Sequence, residues 1–90
     1  MSAHELKTWP GYFAAIVDGR KKFELRKADR NFAVGDTLIL REFEPGPDKY
    51  TGREIRFLVS YMITGPCFGL REGWSILGLA ERLTTPEPHA

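Results

Sequence analysis

Gly19-Arg20-Lys21-Lys22-Phe23-Glu24-Leu25-Arg26 is the stretch where the periodicity of the chain changes. Before it, apolar residues recur at helical spacing; within it, Lys22, Glu24 and Arg26 alternate with Phe23 and Leu25, the period of two that a half-buried strand requires. The expectation is that Phe23 and Leu25 face the core. Glu24 and Arg26 then share the opposite, polar face.

Upstream, His4 to Thr8 reads as a short entry strand, broken at Trp9-Pro10-Gly11. Pro10 suits the first helical position, where its missing N–H costs nothing, and Tyr12, Phe13, Ile16 and Val17 form one apolar face. Asp18-Gly19 ends this helix, with glycine available for a left-handed cap. Trp9, Tyr12 and Phe13 are read as core.

Downstream, a basic loop to Phe32 precedes a strand over Thr37–Phe43, whose apolar centre predicts burial on both faces. The residues from Glu44 to Gly52 read as an exposed hairpin loop. Arg53 to Thr64 alternates again, Ile55, Phe57, Val59 and Tyr61 on one side. Gly65 to Gly73 is a loop, and Trp74 to Leu83 a last strand. Together these predict one strand-rich α+β domain over residues 1–83, with a flexible tail over 84–90. So many strands and one early helix favour a mixed or antiparallel sheet curling into a small β-barrel plugged by the helix.

At 90 residues and 42% apolar composition, the chain has material for one core and not for a second domain. No apolar run approaches the length of a membrane helix and the start lacks signal-peptide character, so a cytoplasmic location without membrane contact is expected. The single Cys67 is read as small core filler. One cysteine and two histidines give no zinc spacing, and neither a metal nor another cofactor is expected. Net charge is +1, but six basic and two acidic residues between Arg20 and Arg30 give that stretch +4 and leave −3 for the rest. Such a bias attracts phosphate or another anion. No phosphate-binding glycine loop or hydrolytic triad spacing is present.

Gly19, Lys21, Glu24 and Arg26 match the G-x-K-x-x-E-x-R signature of ASCH domains, members of the PUA-like barrel superfamily. The likeness extends through His4-Glu5-Leu6-Lys7, Pro10, Phe13, Phe23, Lys27, Asp29-Arg30, Phe32, Gly35-Asp36, Leu40, Glu42 and Tyr50-Thr51-Gly52-Arg53. Over roughly residues 4 to 80 the chain resembles a small bacterial and phage subfamily of unknown function with PUA-like topology. This resemblance implies a cleft beside the helix lined by the signature residues, and a role in binding RNA or a nucleotide or nucleoside. Lys21, Lys22, Arg26, Lys27, Arg30 and Arg53 are the candidate phosphate-holding residues, with Glu24 accepting a base amino group or orienting Arg26. Exposed Trp9, Tyr50 or Trp74 would stack on an unpaired base.

Some ASCH proteins are hydrolases acting on RNA or on acetylated cytidine, the latter using a lysine, a threonine and a glutamate. Lys21 matches the lysine position, so Lys21 and Glu24 are the candidate catalytic pair if the chain is an enzyme. Glu24 stands where those deacylases carry threonine, and a carboxylate does not replace a hydroxyl nucleophile. Glu72, in the loop from Gly65 to Gly73, is the only nearby candidate for a second acid. Binding is therefore expected ahead of hydrolysis, with a protein-interaction domain as the third reading, and the chain is expected to be a monomer or weak dimer.

Overall fold

The computed structural model describes residues 1–83 and 87–88. Its elements are β1 (Ala3–Thr8), α1 (Pro10–Val17), β2 (Phe23–Lys27), β3 (Thr37–Glu44), β4 (Lys49–Thr64), β5 (Trp74–Arg82) and the two-residue β6 (Glu87–Pro88). The sheet runs in the order β1-β3-β4-β5-β2, with β6 against β4. Only β1 and β3 pair in parallel; β3–β4, β4–β5, β5–β2 and β4–β6 are antiparallel. The chain is thus a strand-rich α+β fold with a mixed, curled, barrel-like sheet. Its two path ends, β1 and β2, are adjacent: Arg26 and Arg30, from β2 and the loop after it, reach backbone carbonyls of β1.

α1 begins as the sequence predicts, with Pro10 in the first turn and the Phe13 N–H donating to the Trp9 carbonyl at 2.8 Å. It ends at Asp18, after which Gly19 takes φ 85°, a conformation a side chain would resist. Phe13 and Ile16 enter the core with Leu6, Phe32, Leu38, Leu40, Ile55, Phe57, Val59, Leu77 and Leu79. Leu38, Ile39 and Leu40 are buried in succession, as the continuous apolar centre of β3 requires.

Four expectations need correction. Trp9 and Tyr12 are not core residues; they are 53% and 57% exposed, because α1 turns only its Phe13 and Ile16 side onto the sheet. The hairpin loop after β3 shrinks to residues 45–48, closed by Asp48 at φ 59°, so β4 starts four residues earlier than its alternation suggests. The inward face of β4 does not continue to Tyr61. Val59 pairs with Leu79 and Met62 with Leu77, three steps against two, so a bulge turns Tyr61 out and lets Met62 pack on the core. Cys67 lies half-buried in the loop between β4 and β5, where it and Leu70 exchange backbone hydrogen bonds of 3.1 and 2.7 Å, and is no core filler.

Within the proposed tail, Glu87–Pro88 pairs with Arg53 and Glu54 of β4, and residues 84–86 and 89–90 lie outside the described part. No described helix is long and apolar enough to cross a membrane, and the described residues contain no group of three His, Cys, Asp or Glu placed to hold a metal ion.

Candidate binding pocket at the β1–β2 seam

The decisive correction concerns β2. Phe23 and Leu25 are 47% and 50% exposed, whereas Glu24 is only 3% exposed. The polar face of the strand is the inward one. An isolated carboxylate would not be buried there, because desolvating it costs several kcal/mol, on the order of what a buried ion loses in protein interiors. Glu24 is not isolated: Oε1 accepts from Lys21 Nζ at 2.7 Å and Oε2 from Arg26 Nε at 2.8 Å. Both oxygens are satisfied by cations, which compensates the burial and leaves the trio with one excess positive charge.

Local geometry explains why these three meet. Gly19 ends α1 and the Lys21 N–H bonds back to the Ala15 carbonyl at 3.0 Å, which sets Lys21 just before β2. From there Nζ reaches forward to the Phe23 carbonyl at 2.7 Å as well as to Glu24 three residues on. Glu24 and Arg26, two apart on one strand, share a face by alternation. Arg26 then spans to β1, its Nη2 lying 2.7 Å from the Lys7 carbonyl and 3.5 Å from Thr8 Oγ1.

These groups floor a cavity of about 480 Å³ lined by Lys7, Thr8, Trp9, Tyr12, Lys21, Phe23, Glu24, Leu25 and Arg26. Its size is that of a small-molecule site. Its rim is aromatic: Trp9 and Tyr12 stack with centroids 6.4 Å apart, and Lys21 Nζ lies 4.9 Å from the Phe23 ring centre and 5.8 Å from that of Tyr12. A cationic floor beneath apolar walls suits a ligand with a negative group and a flat apolar body.

Of the residues singled out from sequence, Lys21, Glu24 and Arg26 converge here. Lys22 and Lys27 are exposed and outside the lining. Arg30 lies further along the seam, its Nη1 3.3 Å from the Glu5 carbonyl and its Nε 3.5 Å from Asp29. Arg53 is elsewhere, over the Phe13 ring and 3.8 Å from Glu42. Glu72, Tyr50 and Trp74 do not line the cavity. Lys7, Thr8, Tyr12, Phe23 and Leu25 do, and were not anticipated as site residues. Trp9 and Tyr12 carried a usable signal in being three apart beside the buried Phe13 and Ile16; nothing local marked Lys7, which enters because β1 lies across the seam from β2.

A second buried polar cluster lies away from this pocket. Asp36 accepts from the Ser2 N–H at 3.0 Å, from the Ala33 N–H at 3.0 Å, and pairs with His4 Nε2 at 2.8 Å. The Ser2 amide, then the His4 ring, hold its carboxyl below the usual carboxylate range, against the opposing effect of burial. This cluster pins the start of β1 to the turn before β3.

Over 52 residues, 58% of this chain, the sequence is 46% identical to an uncharacterized 12.9 kDa protein in the GpA 3'region of Escherichia phage P2. The match spans 46% of that relative, so the chain corresponds to less than half of its length. Residues 3–79, which hold the whole pocket, match the family described as a domain of unknown function, DUF3850, and the chain belongs to that family.

Proposed function

We propose that the pocket binds a nucleotide, either free or as an unpaired residue of RNA, its phosphate on Lys21 and Arg26 and its base against the rim aromatics. The observation that carries this reading is the Lys21–Glu24–Arg26 trio, a buried carboxylate held between two half-buried cations with one excess positive charge, under a cavity walled by Trp9, Tyr12 and Phe23. Arg26 Nη1 has no protein acceptor among the described residues, and one of the three Lys21 ammonium hydrogens remains for a ligand after Phe23 and Glu24 are served. The likeness of Gly19, Lys21, Glu24 and Arg26 to the ASCH signature supports the same class of ligand.

The geometry favours binding over hydrolysis. Glu24 uses both oxygens to hold cations, so taking a proton from a ribose hydroxyl would require it to give up one of them. Lys21 Nζ is likewise engaged, at 2.7 Å from both Glu24 and the Phe23 carbonyl, in the arrangement of a donor that holds a ligand anion.

Titration of uridine and adenosine 5′-monophosphates and of short single-stranded RNA, at two salt concentrations, tests the reading. Micromolar to sub-millimolar binding that weakens with salt and is lost in Lys21→Ala is expected. No salt-dependent binding of any of these probes overturns it.

A further inference from the structure

The seam between β1 and β2 has a donor and acceptor pattern that extends the pocket in one direction. The Ser2 carbonyl accepts from the Thr37 N–H at 3.0 Å, so alternate residues of β1 turn their backbone to β3 while Glu5 and Lys7 turn theirs outward. On the other side the Lys22 carbonyl accepts from Leu79 at 3.0 Å and the Ala28 N–H donates to Gly73 at 2.7 Å. Phe23, Leu25 and Lys27 therefore turn their backbone away from β5, into the same gap.

Most carbonyls of this gap are already occupied. Lys7 O accepts from Arg26, Glu5 O from Arg30, Phe23 O from Lys21, and Lys27 O from the Asp29 N–H at 2.8 Å. What two sheet edges normally offer, a row of alternating donors and acceptors ready for another strand, is here biased toward donors and cations. An extended peptide needs both kinds of partner; a phosphodiester chain presents acceptors.

We infer that the ligand of this seam is a single-stranded oligonucleotide, which leaves the pocket and runs along the gap so that Arg30 receives the phosphate next to the one held by Lys21 and Arg26. The inference rests on the nucleotide reading of the pocket and adds a polymer and a direction to it. Arg26 and Arg30 meet β1 at Lys7 and Glu5, two residues apart, which is about 6.6 Å along a strand. That interval is comparable to the spacing of successive phosphates in an extended single strand. Arg30 is well placed for this role, since its side chain is 42% exposed and its 3.5 Å contact with Asp29 is an open surface pair that a phosphate can displace.

The experiment measures affinity for uridylates and adenylates of one, two and four nucleotides by titration of the wild type, Arg30→Ala and Arg30→Lys, with thermal melts of each. In the wild type the dinucleotide and tetranucleotide bind about tenfold more tightly than the monophosphate, in line with one added charge-assisted contact. Arg30→Ala binds the monophosphate within about twofold of wild type but loses the gain with length. Its slope of log affinity against log salt for the tetranucleotide falls by about 0.7, the value for one phosphate contact on a single strand. Arg30→Lys keeps part of the gain, which a merely structural loss would not explain. Equal binding of all lengths by the wild type, or a length gain that survives Arg30→Ala, overturns the inference while leaving the nucleotide reading standing. If neither monophosphates nor oligomers bind, the pocket reading falls and this one with it.

Discussion

The Arg26 guanidinium donates to the Lys7 carbonyl at 2.7 Å while its Nε holds Glu24 at 2.8 Å, so one side chain ties the buried acid of β2 to the backbone of β1. The two path ends of the sheet are joined here by a side chain, where a closed barrel would have a backbone ladder. The seam is therefore both the place where the fold is least continuous and the place where the pocket forms.

Arg26→Ala should destabilise the domain by about 3 kcal/mol, since it leaves half of a buried carboxylate uncompensated and unties the seam. Arg26→Lys should recover only part of this, because an ammonium lacks the fork needed to serve Glu24 and Lys7 together. Urea denaturation of the three proteins measures it; a change below about 0.5 kcal/mol for the alanine variant would mean that the ion pair is immaterial to stability.

Glu24→Gln separates binding from catalysis. Removing one negative charge from the floor should raise affinity for nucleoside monophosphates several-fold at low salt, with the increase shrinking as salt rises. An acid–base role would instead show as an RNA- or acylnucleoside-hydrolysing activity present in the wild type and abolished in Glu24→Gln. Parallel binding and turnover assays decide between these outcomes.

Trp9→Ala and Tyr12→Ala should change stability little, about 1 kcal/mol or less, because both rings are more than half exposed. Each should weaken nucleotide binding about tenfold, the loss of one base-stacking contact. Phe13→Ala, one residue along the same helix, should cost about 3–5 kcal/mol because that ring is fully buried. Thermal melts together with titrations distinguish rim from core.

Asp36 predicts the acid limb of stability. Its carboxyl is held below the ordinary value of 3.8 in the folded state, so folding favours the ionised form. The contribution is fully present above the unfolded value and is lost as pH falls through the lower, folded one. Asp36→Asn should therefore be less stable than wild type at neutral pH, with the gap narrowing as pH drops below about 4. Urea midpoints between pH 2 and 7 provide the check; a constant gap across that range would contradict it.

Much of the fold is legible because it depends on local order. Pro10 and Gly19 bracket α1 through backbone geometry alone, and Leu38-Ile39-Leu40 marks a strand buried on both faces. The bulge that turns Tyr61 outward is not legible, since it arises from the pairing of β4 with β5 and leaves the alternation of residue types intact. Pocket membership divides the same way. Lys21, Glu24 and Arg26 are neighbours along the chain, whereas Lys7 and Thr8 reach them only through the order of strands in the sheet.

By itself the sequence determined the existence and order of β1, α1 and β2–β5, the positive bias of residues 20–30 and the grouping of Glu24 with Arg26 on one strand face, because period, caps and charge are properties of neighbouring residues. Which face of β2 turns inward was decided by the tertiary structure. Alternation makes the two faces of a strand distinguishable without saying which is buried, and apolarity alone points to Phe23 and Leu25. The ion pairs of Glu24 with Lys21 and Arg26, together with the Arg26 contact to Lys7, offset the burial of the acid and place the polar face over the pocket.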